Sequence, residues 1–175
     1  CNDDELLQSS SECLIKLVNI STSLCSSYID KQSHESGVQI LLKSVSKFLL
    51  PSMTDRAIVN LGDLVTLLLE KFNNSIGDYL EDILKALTVR LVQATEVPTI
   101  ENMILIFNML AIAQPQTTIN FLKSFTIDDS TALSKVLPIW FQAYEVMRGY
   151  ESILSNIRAF IEIFKLNDDS INNII

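Results

Sequence analysis

Helix-start signals recur along this chain at a nearly constant interval. Ser36-Gly37-Val38-Gln39 reads as a capping box, with Ser36 as N-cap and Gln39 reaching back from the third helical position. Asp78-Tyr79-Leu80-Glu81 repeats the pattern with an aspartate as N-cap. Asp128-Asp129-Ser130 marks a third start. The starts at Ser36, Asp78 and Asp129 are spaced by about 40–47 residues, the last interval slightly longer, which is the period of stacked two-helix repeats. A unit of that kind cannot bury its own apolar face, so neighbouring units must share one core.

The segments between these signals carry helical periodicity. Leu7, Cys13-Leu14, Leu17-Val18 and Leu24 predict helix from Asp4 to about Tyr28. The hydroxyl-rich runs Ser9-Ser10-Ser11 and Ser21-Thr22-Ser23 argue against its being unbroken. A polar loop over 30–37 follows. The helix opened by Ser36 carries Leu41, Val45 and Phe48 as its core stripe and is stopped by Pro51. Thr54 is the expected cap of a helix over 54–72, with Asp55 favourable against its dipole. Asn73 to Gly77 reads as a turn. A helix with Leu80, Ile83-Leu84, Leu87 and Leu91 on one face comes next.

Residues 99–113 are almost wholly apolar, which predicts a central buried helix, and Pro115 opens a shorter one. A helix from Thr131 to about Met147 contains Pro138, where a kink is expected. Arg148-Gly149 is a break before a last helix over 150–166. The hairpins are thus expected at roughly 1–30 (partial), 36–72, 78–125 and 130–166, forming one segment, 1–175. The expected fold class is all-α, an α-α superhelix of HEAT-repeat hairpins; a closed bundle is the alternative.

Composition supports this. Four Gly and four Pro in 175 residues are too few for the turns of a β-sandwich. Hydrophobic residues make up 48% and charged residues 19%, enough for a packed core. The formal net charge is −8. With no Lys/Arg cluster, direct nucleic-acid binding is not expected, because phosphate neutralisation supplies most of such affinity. Basic protein partners fit the charge better. The most apolar run, 103–113, is interrupted by Asn108 and is about half a membrane span, so no membrane insertion is expected. The cysteines Cys1, Cys13 and Cys25 are odd in number and form no C-x-x-C pair; Cys13 and Cys25 are expected to pack as small apolar groups. The chain begins Cys-Asn-Asp-Asp without Met and reads as a piece of a longer protein.

Catalytic chemistry has no purchase here. The one histidine, His34, has no second His or nearby Cys to share a metal with. No G-x-S-x-G, H-E-x-x-H or glycine-rich phosphate loop occurs. The paired acids Asp128-Asp129 and Asp168-Asp169 read as caps and solvated loops. No enzyme activity, cofactor or metal is expected. Trp140 is expected to pack in the core between helices.

Several ordered stretches resemble one family. They are Ser11-Glu12-Cys13-Leu14 through Asp30, Gln32-Ser33-His34, and Val45-Ser46-Lys47-Phe48-Leu49-Leu50-Pro51. Asn60-Leu61-Gly62-Asp63-Leu64-Val65, Leu80-Glu81-Asp82-Ile83-Leu84-Lys85-Ala86 and Val92-Gln93-Ala94 continue the series. Trp140, Gly149-Tyr150-Glu151 and Leu166-Asn167-Asp168-Asp169 close it. In this order and register they resemble the importin-beta (karyopherin-beta) transport receptors, in particular the importin-nine branch, over nearly the whole chain. The resemblance implies a segment from the C-terminal half of a HEAT-repeat receptor that shuttles between cytoplasm and nucleus. It implies basic cargo such as core histones and the TATA-binding protein, release by the GTP-bound Ran GTPase, mainly through repeats outside this segment, and contact with nucleoporins. A HEAT scaffold of a multi-protein complex outside transport is the alternative.

If the helices over 54–72, 99–113 and 150–166 line the cargo-facing side, their acidic residues are the expected protein-binding positions: Asp63, Glu70, Glu151 and Glu162. Arg158 and Glu162 are spaced for a surface ion pair.

Overall fold

The computed structural model describes residues 3–172 and 174, so Cys1 lies outside the described residues. Among the described residues the chain is all-α apart from one short β-hairpin and an isolated bridge, and its helices form hairpins of the HEAT-repeat kind. Internal contacts divide it into two units, Cys1–Arg90 and Leu91–Ile175.

In the first unit, α1 (Asp4–Ile20) starts on the Asp3 carboxylate, which accepts from the Leu6 N–H at 3.2 Å. The helix breaks at Ser21 and resumes as α2 (Thr22–Ser27), inside the second hydroxyl-rich run. Only Ser11 and Val18 of α1 are buried. Leu17 and Leu24 are exposed, and so is Cys13, against expectation; Cys25 is buried. The expected stripe was only partly right: Leu7, Leu14 and Val18 are half-buried or buried, but the packed face runs through Ser11, Val18 and Cys25, and Cys13, Leu17 and Leu24 fall outside it.

The loop over 30–37 is built by its own polar groups. The Asp30 carboxylate accepts from the N–H groups of Gln32 and Ser33, which holds it below the usual carboxylate range. His34 takes a left-handed backbone (φ 58°), and Ile29 bridges to Ser36. Then α3 (Gly37–Phe48) begins with the complete capping box, the Ser36 Oγ accepting from the Gln39 N–H and the Gln39 Oε1 from the Ser36 N–H. Its buried face is Val38, Leu41, Leu42, Val45 and Phe48.

The helix expected over 54–72 starts later. Thr54 Oγ1 does accept from the Ala57 N–H, but it caps a 3-10 turn, Arg56–Ile58, on which α1 packs. Asp55 is not a dipole partner; its carboxylate accepts from the Arg90 guanidinium at 3.2 Å. α4 begins only at Leu61.

α4 (Leu61–Gln93) is two helices joined across a kink, the second taking in the expected turn residues 73–77 and the expected cap at Asp78. Its one non-helical residue is the buried Phe72 (φ −128°, ψ 20°). On a straight helix Val65 and Ile83 would lie about 27 Å apart. Instead Val65, Leu68, Ile76 and Ile83 surround one small cavity together with Leu42 and Val45 of α3. The hairpin therefore turns back at Phe72. The reversal thus falls one residue before the expected turn, and Asn73 and Gly77 lie inside the returning helix beside the buried Ile76.

In the second unit, α5 (Val97–Ala113) is the central helix expected, with Pro98 in its first turn and Met103, Ile104, Ile106, Phe107 and Ala111 buried. It packs on α6 (Pro115–Lys123), α7 (Ala132–Val146) and α8 (Tyr150–Phe164). Asp128 and Asp129 do not cap a helix. Both have positive φ (47° and 62°) and form the two-residue turn between β1 (Thr126–Ile127) and β2 (Ser130–Thr131). A primed hairpin turn requires that geometry, and Asp tolerates it. The cap of α7 is Thr131, whose Oγ1 accepts from the Ser134 N–H. The helix continues across Pro138. Trp140 is fully buried, as expected. A short α9 (Asp169–Asn172) follows α8, tied down where the Lys123 Nζ meets the Asp168 carboxylate at 2.5 Å.

Candidate binding surface

Each of the four acidic positions sits on a helix whose opposite side is core, which leaves Asp63, Glu70 and Glu151 exposed and Glu162 half-buried. On α4, Leu64, Val65, Leu67, Leu68 and Leu69 are buried, and the helical period leaves Asp63 and Glu70 on the outer side, both exposed. The other polar residues over 56–66 do not join them. Arg56 and Asn60 precede the helix, Thr66 is half-buried, and Asn60 Nδ2 donates to Ser11 Oγ at 3.2 Å. What remains is an acidic pair two turns apart.

On α8, Asn156, Ala159, Phe160 and Ile163 are buried. Glu151 is exposed in the first turn, where the helix dipole favours a carboxylate. Glu162 is half-buried and pairs with Lys165 at 2.6 Å, in place of the expected Arg158. Three residues along a helix bring side chains together as well as four do, and a pair this exposed contributes at most about 1 kcal/mol. Asp63 and Glu70 are thus a feature of the first unit, Glu151 and Glu162 of the second.

This arrangement can attract cations and shape an encounter; it offers no bond-making chemistry. Among the described residues, no group of His, Cys, Asp and Glu is disposed to hold a metal ion. No helix among them is long and apolar enough to cross a membrane.

Sequence reasoning missed two polar roles. Arg90, 7% exposed, donates to the Met53 carbonyl at 3.1 Å as well as to Asp55. Asn108, read only as an interruption of an apolar run, accepts from the Trp140 indole. A polar residue inside an apolar run is itself a sign of such a bond, because a buried amide needs a partner.

No family model matches the chain. Among curated proteins it is similar to importin subunit beta-5 of Saccharomyces cerevisiae, 32% identical over 146 residues. The match covers 83% of this chain and 14% of the length of the yeast protein. A match of 146 residues is longer than either unit and so reaches into both. The similarity supports placing this segment in the importin-beta family.

Proposed function

We infer that the chain is a segment of a nuclear import receptor of the importin-nine branch. It binds basic protein cargo of the core-histone and TATA-binding-protein class, and its full-length receptor shuttles between cytoplasm and nucleus under control of Ran-GTP and in contact with nucleoporins. The observation that carries this reading is the similarity to a protein named as an importin subunit. The net charge of −8 supports the sign of the cargo, since complementary charge steers encounter. The hairpins at roughly 1–30, 36–72, 78–125 and 130–166 are the repeats of this segment in that reading. Asp63, Glu70, Glu151 and Glu162 supply its cargo-facing charge, and its work is binding, not catalysis.

The test is a pull-down of core histones by the full-length receptor with and without Ran-GTP. Capture without Ran-GTP and release with it is expected. Capture that ignores Ran-GTP would favour a scaffold role instead. Reversing Asp63 and Glu70 to Lys should weaken capture and reduce its salt dependence; unchanged affinity and salt dependence would remove those two residues from the surface.

A further inference from the structure

A groove of about 460 Å³ opens in the first unit between α3 and the part of α4 that follows Phe72. Its floor is apolar: Leu42, Leu49 and Ile83 are buried there. Leu50 and Tyr79 stand half out of its edge, 48% and 44% exposed. The volume lies in the range of about 300–1,000 Å³ typical of pockets that take up ligand side chains. Both walls are helical. Along α4, Tyr79, Asp82 and Ala86 follow one another by three and four residues, so one face of the helix lines the groove. An apolar channel between two helices suits a third, amphipathic helix laid along it.

The charges on the walls decide which amphipathic helix. Lys43 is on the rim, but Glu35 holds its ammonium. Lys85, one turn from Glu81, is paired with that carboxylate at 2.6 Å, and the hydrogen bond to Glu81 keeps its ammonium protonated above the usual lysine range. Lys43 is thus engaged by Glu35, and Lys85 by Glu81 and more weakly by Asp82; two acids against one lysine leave this wall net negative, with the exposed Asp82 lining the groove.

We propose that this groove docks a short amphipathic helix of a basic partner protein. Its leucine-like side chains enter over Leu42, Leu49 and Ile83, and a lysine or arginine beside them pairs with Asp82. The proposal deepens the cargo reading and rests on it, the charge of the groove's wall agreeing with it in sign; none of the four acidic positions above takes part.

The probe is a fluorescein-labelled peptide of roughly twelve residues, with leucines at helical spacing and lysines beside them. Its binding to the 175-residue chain is followed by fluorescence anisotropy. The groove predicts saturable binding, weakened about three- to tenfold by Leu50→Ser or Tyr79→Ser. Asp82→Lys should weaken it about tenfold and reduce its salt dependence. All three residues are exposed, so unchanged circular dichroism is expected in each variant. Absence of binding, or binding that Leu50→Ser and Tyr79→Ser leave unchanged, overturns the groove. Equal binding of a peptide with glutamates in place of the lysines, or with neither charge, overturns the cationic partner. The transport reading fails separately, in the Ran-GTP pull-down, which this peptide assay does not touch.

Discussion

The Trp140 indole N–H donates to the Asn108 Oδ1 at 2.7 Å, both side chains fully excluded from solvent. The same N–H is shared with the Asn156 Oδ1 at 2.8 Å. Phe107 and Phe160 pack on the indole with ring centroids 5.8 and 5.4 Å away. Three helices, α5, α7 and α8, are thereby registered on one donor. Two acceptors serve one hydrogen, and the Asn108 Nδ2 is buried without a partner.

That surplus makes the asparagines unequal to the tryptophan. Asn108→Leu removes an unsatisfied amide and leaves Asn156 to accept from the indole. Its urea-unfolding stability should stay within about 1 kcal/mol of the parent. The double substitution Asn108→Leu with Asn156→Leu orphans the indole N–H and should cost about 1–3 kcal/mol more. Trp140→Ala should cost about 3–5 kcal/mol through lost packing. A large loss from Asn108→Leu alone would mean that the shared bond is indispensable.

Two glycines give opposite expectations. A Cβ on Gly37 would stand 2.3 Å from the Cys25 carbonyl oxygen, a backbone atom that cannot swing away. Gly37→Ala should therefore destabilise the first unit by roughly 1–3 kcal/mol. Gly77 lies inside α4 with nothing within 4 Å of such a Cβ. Gly77→Ala should stabilise by about 0.5–1 kcal/mol, since alanine loses less backbone entropy in a helix. Thermal unfolding of the two variants beside the parent checks both signs at once.

Asp55 and Arg90 form an ion pair with side chains 11% and 8% exposed, and it anchors the loop before the 3-10 turn to α4. Removing one member leaves the other charge buried. Asp55→Ala should cost about 3–5 kcal/mol, whereas replacing both by apolar residues of similar volume should cost much less. A double-mutant cycle in urea measures the difference; additive losses would show that the pair is not coupled.

These particulars mark what sequence can and cannot carry. The Ser36 box was readable because four adjacent residues contain all of its hydrogen bonds. The limits of α5 were readable because Pro98 and Pro115 act where they stand. The cap at Asp78 failed because a capping residue is also a tolerable helix residue, and the core around Ile76 and Ile83 decided the matter. With Asp78 and Asp129 both relieved of capping, the spacing argument for repeats weakens, and the family similarity carries the fold class more firmly than the period did. The pairing of Asp55 with Arg90 spans 35 residues, and no local pattern announces it. The acidic positions were found on exposed faces because helical periodicity fixes the outer side, but the groove beside Asp82 needed two helices in three dimensions.

Asp168 supplies the pH test. Lys123 first, and then the Ser170 hydroxyl and N–H, hold its carboxyl down to about 2. A folded-state value below the unfolded value of about 3.9 means that the unfolded chain binds the proton more readily. The stabilisation is therefore complete above about pH 4 and is lost as the pH falls through about 2. Asp168→Asn should lower stability at neutral pH and make almost no difference once the pH is well below 2. Lys123→Met should let the Asp168 carboxyl titrate closer to the ordinary range, read from its side-chain carbon shift by NMR. A midpoint unchanged by Lys123→Met would assign the depression to Ser170 instead.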